Sequence, residues 1–433
     1  MSHIVSIKTS YLTKKILYLL CLLGFGSLVV MSVFYKPDAI RYEEEAIVRN
    51  NVDLIEQHGL SAKFLVKIRD QAPGPVNNIL FYALRPLIGS SLVGARLVMV
   101  FLFAVSIFLS HKTIGLYYPD LKSWWIYALA ITFVPSHWQS AGVAMSNIPA
   151  LVLLSLFLYW LSVAVVKHRG GAYRKSIIYA ILAGLVLGLA TLTRSTSIVL
   201  LGALPVLLFG RWTNQRPYAM VAVVGVLALL IAMPVFVVWG GFSPPHQQIG
   251  ISDTGINPTH GFLACGYMGL FVFLMSEKWL VYDPKIFKVL GVVFLVVFGV
   301  SFWFTPIDFV PFQSILKHFP TFVFPFYSRL MGSFLIVFAF YFVYHLVLNL
   351  STIDALDSNR PLLWFCGAAV LMVVGACAKV THQFSQVYAA QATPFLVILL
   401  VRSHRFGAVK VFKYAFVIGS GLYALAQLRS HYV

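Results

Sequence analysis

The chain has 433 residues, 60% of them hydrophobic and only 11% charged, with a mean hydropathy of +0.85. That balance excludes an ordinary soluble domain and fits an all-α polytopic membrane protein whose core is the bundle crossing the bilayer. A net charge of +18 would suit a nucleic-acid binder if the basic residues formed one patch, but they fall between apolar runs and read as topology signals, so no nucleic-acid partner is implied.

Lys14 and Lys15 precede an apolar run over residues 16–34, which is long enough to span and lacks a clear small-residue cleavage site. With the lysines in the cytoplasm, this first helix delivers Tyr35 to the outer face. Residues 35–71 then hold Asp38, Glu43, Glu44, Glu45, Asp53, Glu56 and Asp70, half of the chain's 14 acidic residues, in an external loop that extends to residue 93. Within it, residues 40–59 read as an amphipathic helix with a wet acidic face. Residues 73–91 read as an interfacial helix whose apolar face is interrupted by Asn77, Asn78 and Arg85. The alternative for 73–91 is a further short span, which would invert the two helices that follow.

Short basic loops at 111–122, 167–175 and 211–216 belong on the cytoplasmic side. The chain between the last two then forms a helical hairpin with its external tip at Thr193-Arg194-Ser195. Spans are expected at 94–110, 123–133, 148–166, the two hairpin arms, 221–239, 262–275, 289–304, 330–350, 362–379, 388–401 and 411–426. With the first helix that makes thirteen, in a single transmembrane domain. Residues 1–210 form one half, and residues 211–433, with external loops 240–261 and 305–327, form the other. Cys21, Cys265, Cys366 and Cys377 lie in apolar runs without ligand spacing and read as free thiols. The absence of a visible internal repeat weighs against transporters built from inverted repeats.

Ionisable groups at a membrane surface are functional candidates by default. Asp38 follows Pro37 where the first helix leaves the bilayer, in a low-dielectric neighbourhood that suits a general base once a cation or ligand holds it ionised; Glu43 is the reserve carboxylate. Arg194 at the hairpin tip and Arg329 at the start of an inward helix are placed to hold an anion, or else to snorkel to headgroups. His382, with Lys379, sits at another outer helix end, where snorkelling competes with a substrate contact, and His137 lies with Trp138 in the loop before Ser146, where an interfacial Trp anchor and a substrate contact are both open readings. No metal-ligand pattern stands out, no cofactor is implied, and a divalent metal is left undetermined.

The segment Lys36-Pro37-Asp38-Ala39-Ile40-Arg41-Tyr42-Glu43 resembles the "P-D-E-x-R-Y" element of GT-C fold glycosyltransferases, in particular the lipid A aminoarabinose transferase and protein O-mannosyltransferase group. Ala72-Pro73-Gly74-Pro75 resembles that group's "K-P-P-L", Gly94-Ala95-Arg96-Leu97 its "A-A-R-L", Ser146-Asn147-Ile148-Pro149 its "S-E-x-P", and residues 184–194 its "G-L-x-x-G-L-A-x-L-T-R". Near the C-terminus, residues 388–394 match the spacing of its "R-Y-x-x-P-x-x-P", with Tyr388 on the tyrosine and Val387 where arginine is common. Ala39 stands where glutamate usually follows the aspartate, and Lys67 or Arg69 would have to supply the missing lysine of "K-P-P-L".

The resemblance covers residues 16–210 and implies a GT-C-like enzyme of the cytoplasmic membrane with its site on the external side. It would move a sugar from a polyprenyl-phosphate donor to a lipid, glycan or protein acceptor with inversion. Asp38 would be the base, Arg194, Arg329, Lys67 and Arg69 the donor-phosphate cations, and His137, Asn147, His382 and Tyr388 the substrate-loop contacts. The alternative is a transporter or flippase of a lipid-linked or anionic solute, with the same cations lining its path.

Overall fold

A computed structural model of the chain describes residues 16, 19, 22–24, 26, 27, 29, 30, 43–68, 74–89, 91–119, 128–209, 212, 217–246, 255–275, 279, 280, 283–303, 320, 322–354, 357–379 and 386–402. Every regular element among them is helical. Three helices precede the first long one: α1 (Glu43–His58), α2 (Ala62–Lys67) and α3 (Pro75–Ile88). At 14 residues, α3 is roughly 21 Å long, too short to cross a bilayer. Next come α4 (Leu92–Tyr117), α5 (Pro135–Ala141), α6 (Asn147–Arg169), α7 (Tyr173–Thr193) and α8 (Tyr218–Trp239). The second half adds α9 (Pro258–Met275), α10 (Pro284–Val300), α11 (Val323–Ser351), α12 (Arg360–Ala376), α13 (Gln386–Ala390) and α14 (Thr393–Arg402).

Eight described helices are long and apolar enough to cross a membrane: α4, α6, α7, α8, α9, α10 with its 3-10 extension to Trp303, α11, and α12 with its extension to Lys379. The protein is integral to a membrane, and α10 shows why: it has no buried residue, and Val292, Leu295 and Val296 are each about 60% exposed or more. A helix apolar on every side and packed on so little protein is stable only where lipid covers it.

Thirteen spans were expected, and the remaining five have two different outcomes. Only scattered residues of 16–34 are described, and 411–426 lies outside the described residues. The other three are short, broken pieces. The described part of 123–133 ends in a 3-10 turn, with Ala130 and Ile131 fully buried, before Pro135 opens α5. The second hairpin arm, Ser195–Leu208, alternates 3-10 and α turns over 14 residues. The run 388–401 divides into α13 and α14, and Phe395 to Val401 are buried rather than facing lipid. In each piece a proline (Pro135, Pro205, Pro394) sits in the first turn of a new helical segment. Proline cannot continue a helix but is pre-set to begin one.

Tertiary hydrogen bonds sort the helix ends into two groups. At one end, the Trp239 indole N–H donates to the Leu65 carbonyl at 2.9 Å and the Asn257 N–H to the Ala378 carbonyl at 2.8 Å. At the other, Tyr117 Oη donates to the Ser162 carbonyl at 3.3 Å and Arg169 to Asn359 Oδ1 at 3.1 Å, with the Arg169 guanidinium over the Trp212 ring. This alternation agrees with the order read from the basic loops. Between α9 and α11 the backbones nearly touch, since a Cβ on Gly266 would lie 2.3 Å from the Leu335 carbonyl oxygen. Close approach through small residues is how membrane helices gain packing without a hydrophobic drive between them. Gly266→Val is therefore expected to lower stability by about 1–3 kcal/mol, read as a lower melting temperature in detergent, because the carbonyl it meets belongs to a rigid helix.

Candidate functional site

The first of the two helix-end groups holds the polar cluster, built on the place where α7 stops. Thr191 and Thr193 donate their hydroxyls back to the Leu187 and Leu189 carbonyls, at 2.9 and 2.8 Å, tightening the last turn. Arg194 then leaves the helix with extended dihedrals (φ −142°, ψ 114°), and a 3-10 turn begins at Ser195. Its guanidinium is buried, 7% exposed for the residue. It donates to Oδ1 of Asn147, the first residue of α6, and stacks over the Tyr388 ring of α13 at 4.7 Å from the centroid. The turn between α13 and α14 completes the set: Gln391 Nε2 donates to the Asn147 carbonyl at 3.0 Å.

The chemistry of this cluster lies in its charge. The ion pairs among the described residues belong to Arg85, with Asp53 at 3.4 Å and Glu56 at 2.6 Å, and none reaches Arg194. Held by an amide and a ring, this buried guanidinium is a positive charge with no counter-charge among the described residues. Its planar fork matches the oxygens of a phosphate or carboxylate. Asn147 occupies the glutamate position of the "S-E-x-P" element, so a neutral amide stands where a carboxylate would have cancelled the charge.

The start of α3 is seated on the same turn. The Gly74 N–H donates to the Thr193 carbonyl at 3.0 Å, and a Cβ at Gly74 would fall 1.8 Å from the Leu192 carbonyl oxygen, so only glycine fits there. This bond starts α3 directly beside Arg194. Asn77 and Asn78, in the next turn, are fully buried, and their side-chain oxygens and nitrogens have no hydrogen-bond partner among the described residues. A buried amide left unsatisfied costs about 1–3 kcal/mol.

The sequence-derived residues divide accordingly. Arg194, Asn147 and Tyr388 meet directly. His137 lies on α5, buried, with Nε2 3.0 Å from Oγ1 of Thr393, the first residue of α14, and so shares the polar rim with Gln391. Arg329 is engaged elsewhere: its Nε donates to the Ser301 carbonyl at 3.2 Å and its guanidinium lies over Phe302, tying α11 to the end of α10. Lys67 is exposed and bonds His58 across the α1–α2 turn at 3.1 Å. Asp38, Arg69 and His382 lie outside the described residues, and Glu43 is described only as the first residue of α1. The sequence reading missed Gln391 and Thr393, whose short helices it drew as one rod, and it took Asn77 and Asn78 as flaws in an apolar face. Among the described residues no group of three or more His, Cys, Asp or Glu could hold a metal.

Structural comparison finds similar chains. Two structures of ArnT from Cupriavidus metallidurans, one bound to undecaprenyl phosphate and one in the apo state, align with 89% and 92% of this chain and 76% and 78% of their own, at 15% identity and TM-scores of 0.40 and 0.38. The oligosaccharyltransferase of Archaeoglobus fulgidus, tethered to an acceptor peptide with an NVT sequon, aligns over 83% of this chain and 55% of its own at 13% identity and a TM-score of 0.39. Likenesses of that size assign no family. No protein-family model matches the sequence, and no curated protein matches it closely.

Two measurements test the cluster. Asn147→Asp places a carboxylate on Arg194 and should weaken the binding of a phosphate-bearing lipid about tenfold or more, while Asn147→Gln should weaken it less; lipid-induced thermal stabilisation reads both. Burial pushes the His137 pKa from its ordinary 6.5 down to about 3. The folded state keeps the ring neutral while the unfolded chain takes up a proton below 6.5, so this contribution is full above 6.5 and is lost as pH falls toward 3. A melting series between pH 7 and pH 4 should slope downward, and His137→Gln should flatten it.

Proposed function

We propose that the protein is a GT-C type glycosyltransferase that takes a sugar from a polyprenyl-phosphate donor and passes it to a lipid, glycan or protein acceptor on the external face of the cytoplasmic membrane. The observation that carries this reading is Arg194: a buried arginine with neutral partners, at the membrane end of α7, needs an anion to complete it. A phosphate linked to a lipid chain supplies that anion at that depth. The order of the motifs over residues 36–194 supports the same chemistry, and two of them meet at this turn, Asn147 on Arg194 itself and Gly74 on the Thr193 carbonyl.

In this mechanism Asp38 accepts the proton of the acceptor hydroxyl or amine as that atom attacks the anomeric carbon. The bond from that carbon to the phosphate oxygen breaks on the opposite face, which inverts the centre. The electron pair leaves with the lipid phosphate, and Arg194 stabilises the charge. Tyr388 and Asn147 orient the guanidinium, so the positive charge is in place before the reaction. Arg69 is a further cation for the lipid phosphate, and Arg329 and Lys67 join it only by leaving Ser301 and His58; His382 and His137 are further contacts of the substrate loops, and Glu43 is the reserve base.

Asp38→Asn separates base chemistry from binding. The variant should insert normally and keep its stabilisation by undecaprenyl phosphate, while transfer of a labelled sugar to membrane acceptors, followed by thin-layer analysis, falls by about 100-fold or more. Wild-type transfer in Asp38→Asn would rule out Asp38 as the base. Arg194→Gln should do the opposite and lose the lipid-phosphate stabilisation itself.

A further inference from the structure

We infer that the hollow between α9, α10 and α11 holds an acyl chain of an anionic phospholipid, whose phosphate is held by Lys285 and Lys288 at the start of α10. The site is separate from Arg194. Helix α9 leaves the Arg194 end of the bundle beside Asn257, which is bonded to the Ala378 carbonyl, and the hollow is walled by Phe273 in the last turn of α9 and by Leu280 beyond it. That is the end to which the short basic loops assign the cytoplasm.

The hollow measures about 280 Å³, near the lower limit of small-molecule sites. Phe287, Leu290, Gly291 and Phe294 form its α10 wall at the spacing of one helical face, and Phe334 and Phe338 line it from α11. Aromatic contacts stiffen the walls: Phe287 meets Tyr341 at 5.8 Å between ring centroids, and Phe334 stacks on Phe338 at 5.4 Å. Apolar hollows exclude water, and the atoms that line an empty one forfeit dispersion contacts. Phe287 and Phe334 are still 44% and 46% exposed, so the hollow opens to the lipid around α10, and hydrocarbon is the filler within reach. The filler also answers a mechanical need. At its far end α10 is tied to α11 by the bond from Arg329 to the Ser301 carbonyl and by the contact of Phe298 with Phe326. Between those ties and the Phe287–Tyr341 contact the hollow parts the two helices.

The mouth selects the lipid. Lys285 and Lys288 are both exposed, in the first two turns of α10 and within one turn of Phe287 and Gly291. The nearby carboxylate of Asp283 is turned to its own helix, where it accepts the Lys285 N–H at 2.9 Å. Glu277 and Lys278 of the preceding loop cancel in charge. Two ammonium groups at headgroup depth favour an anionic lipid over a zwitterionic one. A lipid anchored at Arg194 has its head at the opposite surface, so these cations call for a second lipid molecule.

Melting in detergent tests the site, followed without lipid and with phosphatidylglycerol, with phosphatidylethanolamine of the same chains, or with undecaprenyl phosphate. Phosphatidylglycerol should stabilise the wild type with an apparent affinity about tenfold above that of phosphatidylethanolamine. Gly291→Phe puts a ring into the hollow, and since a Cβ at Gly291 meets nothing within 4 Å, the substitution starts without a clash. This variant should melt no lower than the wild type without lipid and should lose the phosphatidylglycerol effect. Joint replacement Lys285→Gln and Lys288→Gln leaves the hollow open and should lower the response to phosphatidylglycerol to that of phosphatidylethanolamine. Undecaprenyl phosphate should act alike on all of these proteins, which keeps the outcome apart from the reading of Arg194. An undiminished phosphatidylglycerol effect in Gly291→Phe overturns the site, and equal responses of the wild type to the two phospholipids overturn the anionic head. A selective loss of the undecaprenyl phosphate effect in Gly291→Phe would give the hollow to an isoprenoid chain and overturn the phospholipid as its occupant.

Discussion

The membrane end of this bundle depends on one buried positive charge. Arg194 lies where α7 gives way to a 3-10 turn, and its partners come from two distant parts of the chain, Asn147 at the start of α6 and Tyr388 on α13. None of them is charged, so the guanidinium keeps its full electrostatic reach in a medium that screens it poorly. The same turn offers the Thr193 carbonyl to Gly74, which fixes where α3 begins. Helix α3 thus takes its position from the arginine's own turn.

Two kinds of helix build the molecule, and they divide the labour. The long rods meet lipid, α10 most of all, and carry little chemistry. The short, proline-started pieces are buried between them, and their irregular backbone is tolerated because protein surrounds it. The breaks supply the polar groups: Arg194 before the 3-10 turn, Gln391 between α13 and α14, and His137 on the seven-residue α5. A continuous helix at these places would satisfy its own backbone and turn these side chains elsewhere. Arg329, on a long helix, shows the contrast: it caps the Ser301 carbonyl and stacks on Phe302, a contact that ties two helices together.

The hairpin tip at Arg194 was legible because charge spacing alone demanded a reversal between the basic loops at 167–175 and 211–216. Asn147 and Tyr388 were legible through motif order. The asparagines of α3 were not, since in a helical pattern Asn77 and Asn78 look like interruptions of an apolar stripe. Their burial arises when Gly74 docks on α7, a contact between residues more than a hundred positions apart. The ion pair of Arg85 with Glu56 was equally hidden, because the sequence reading put Glu56 on a wet face.

Composition and the placement of basic loops determined, without any tertiary contact, that this is an all-helical membrane protein, and they anticipated the reversal of the chain at Arg194. Those properties follow from transfer energies that act residue by residue along the chain. Only the tertiary structure decided which apolar runs face lipid and which break inside the protein, and which of several similar cations is buried against neutral partners. Burial and pairing are properties of neighbours, and the neighbours of Arg194 are set by how α6, α7 and α13 pack, not by the residues beside it in the sequence.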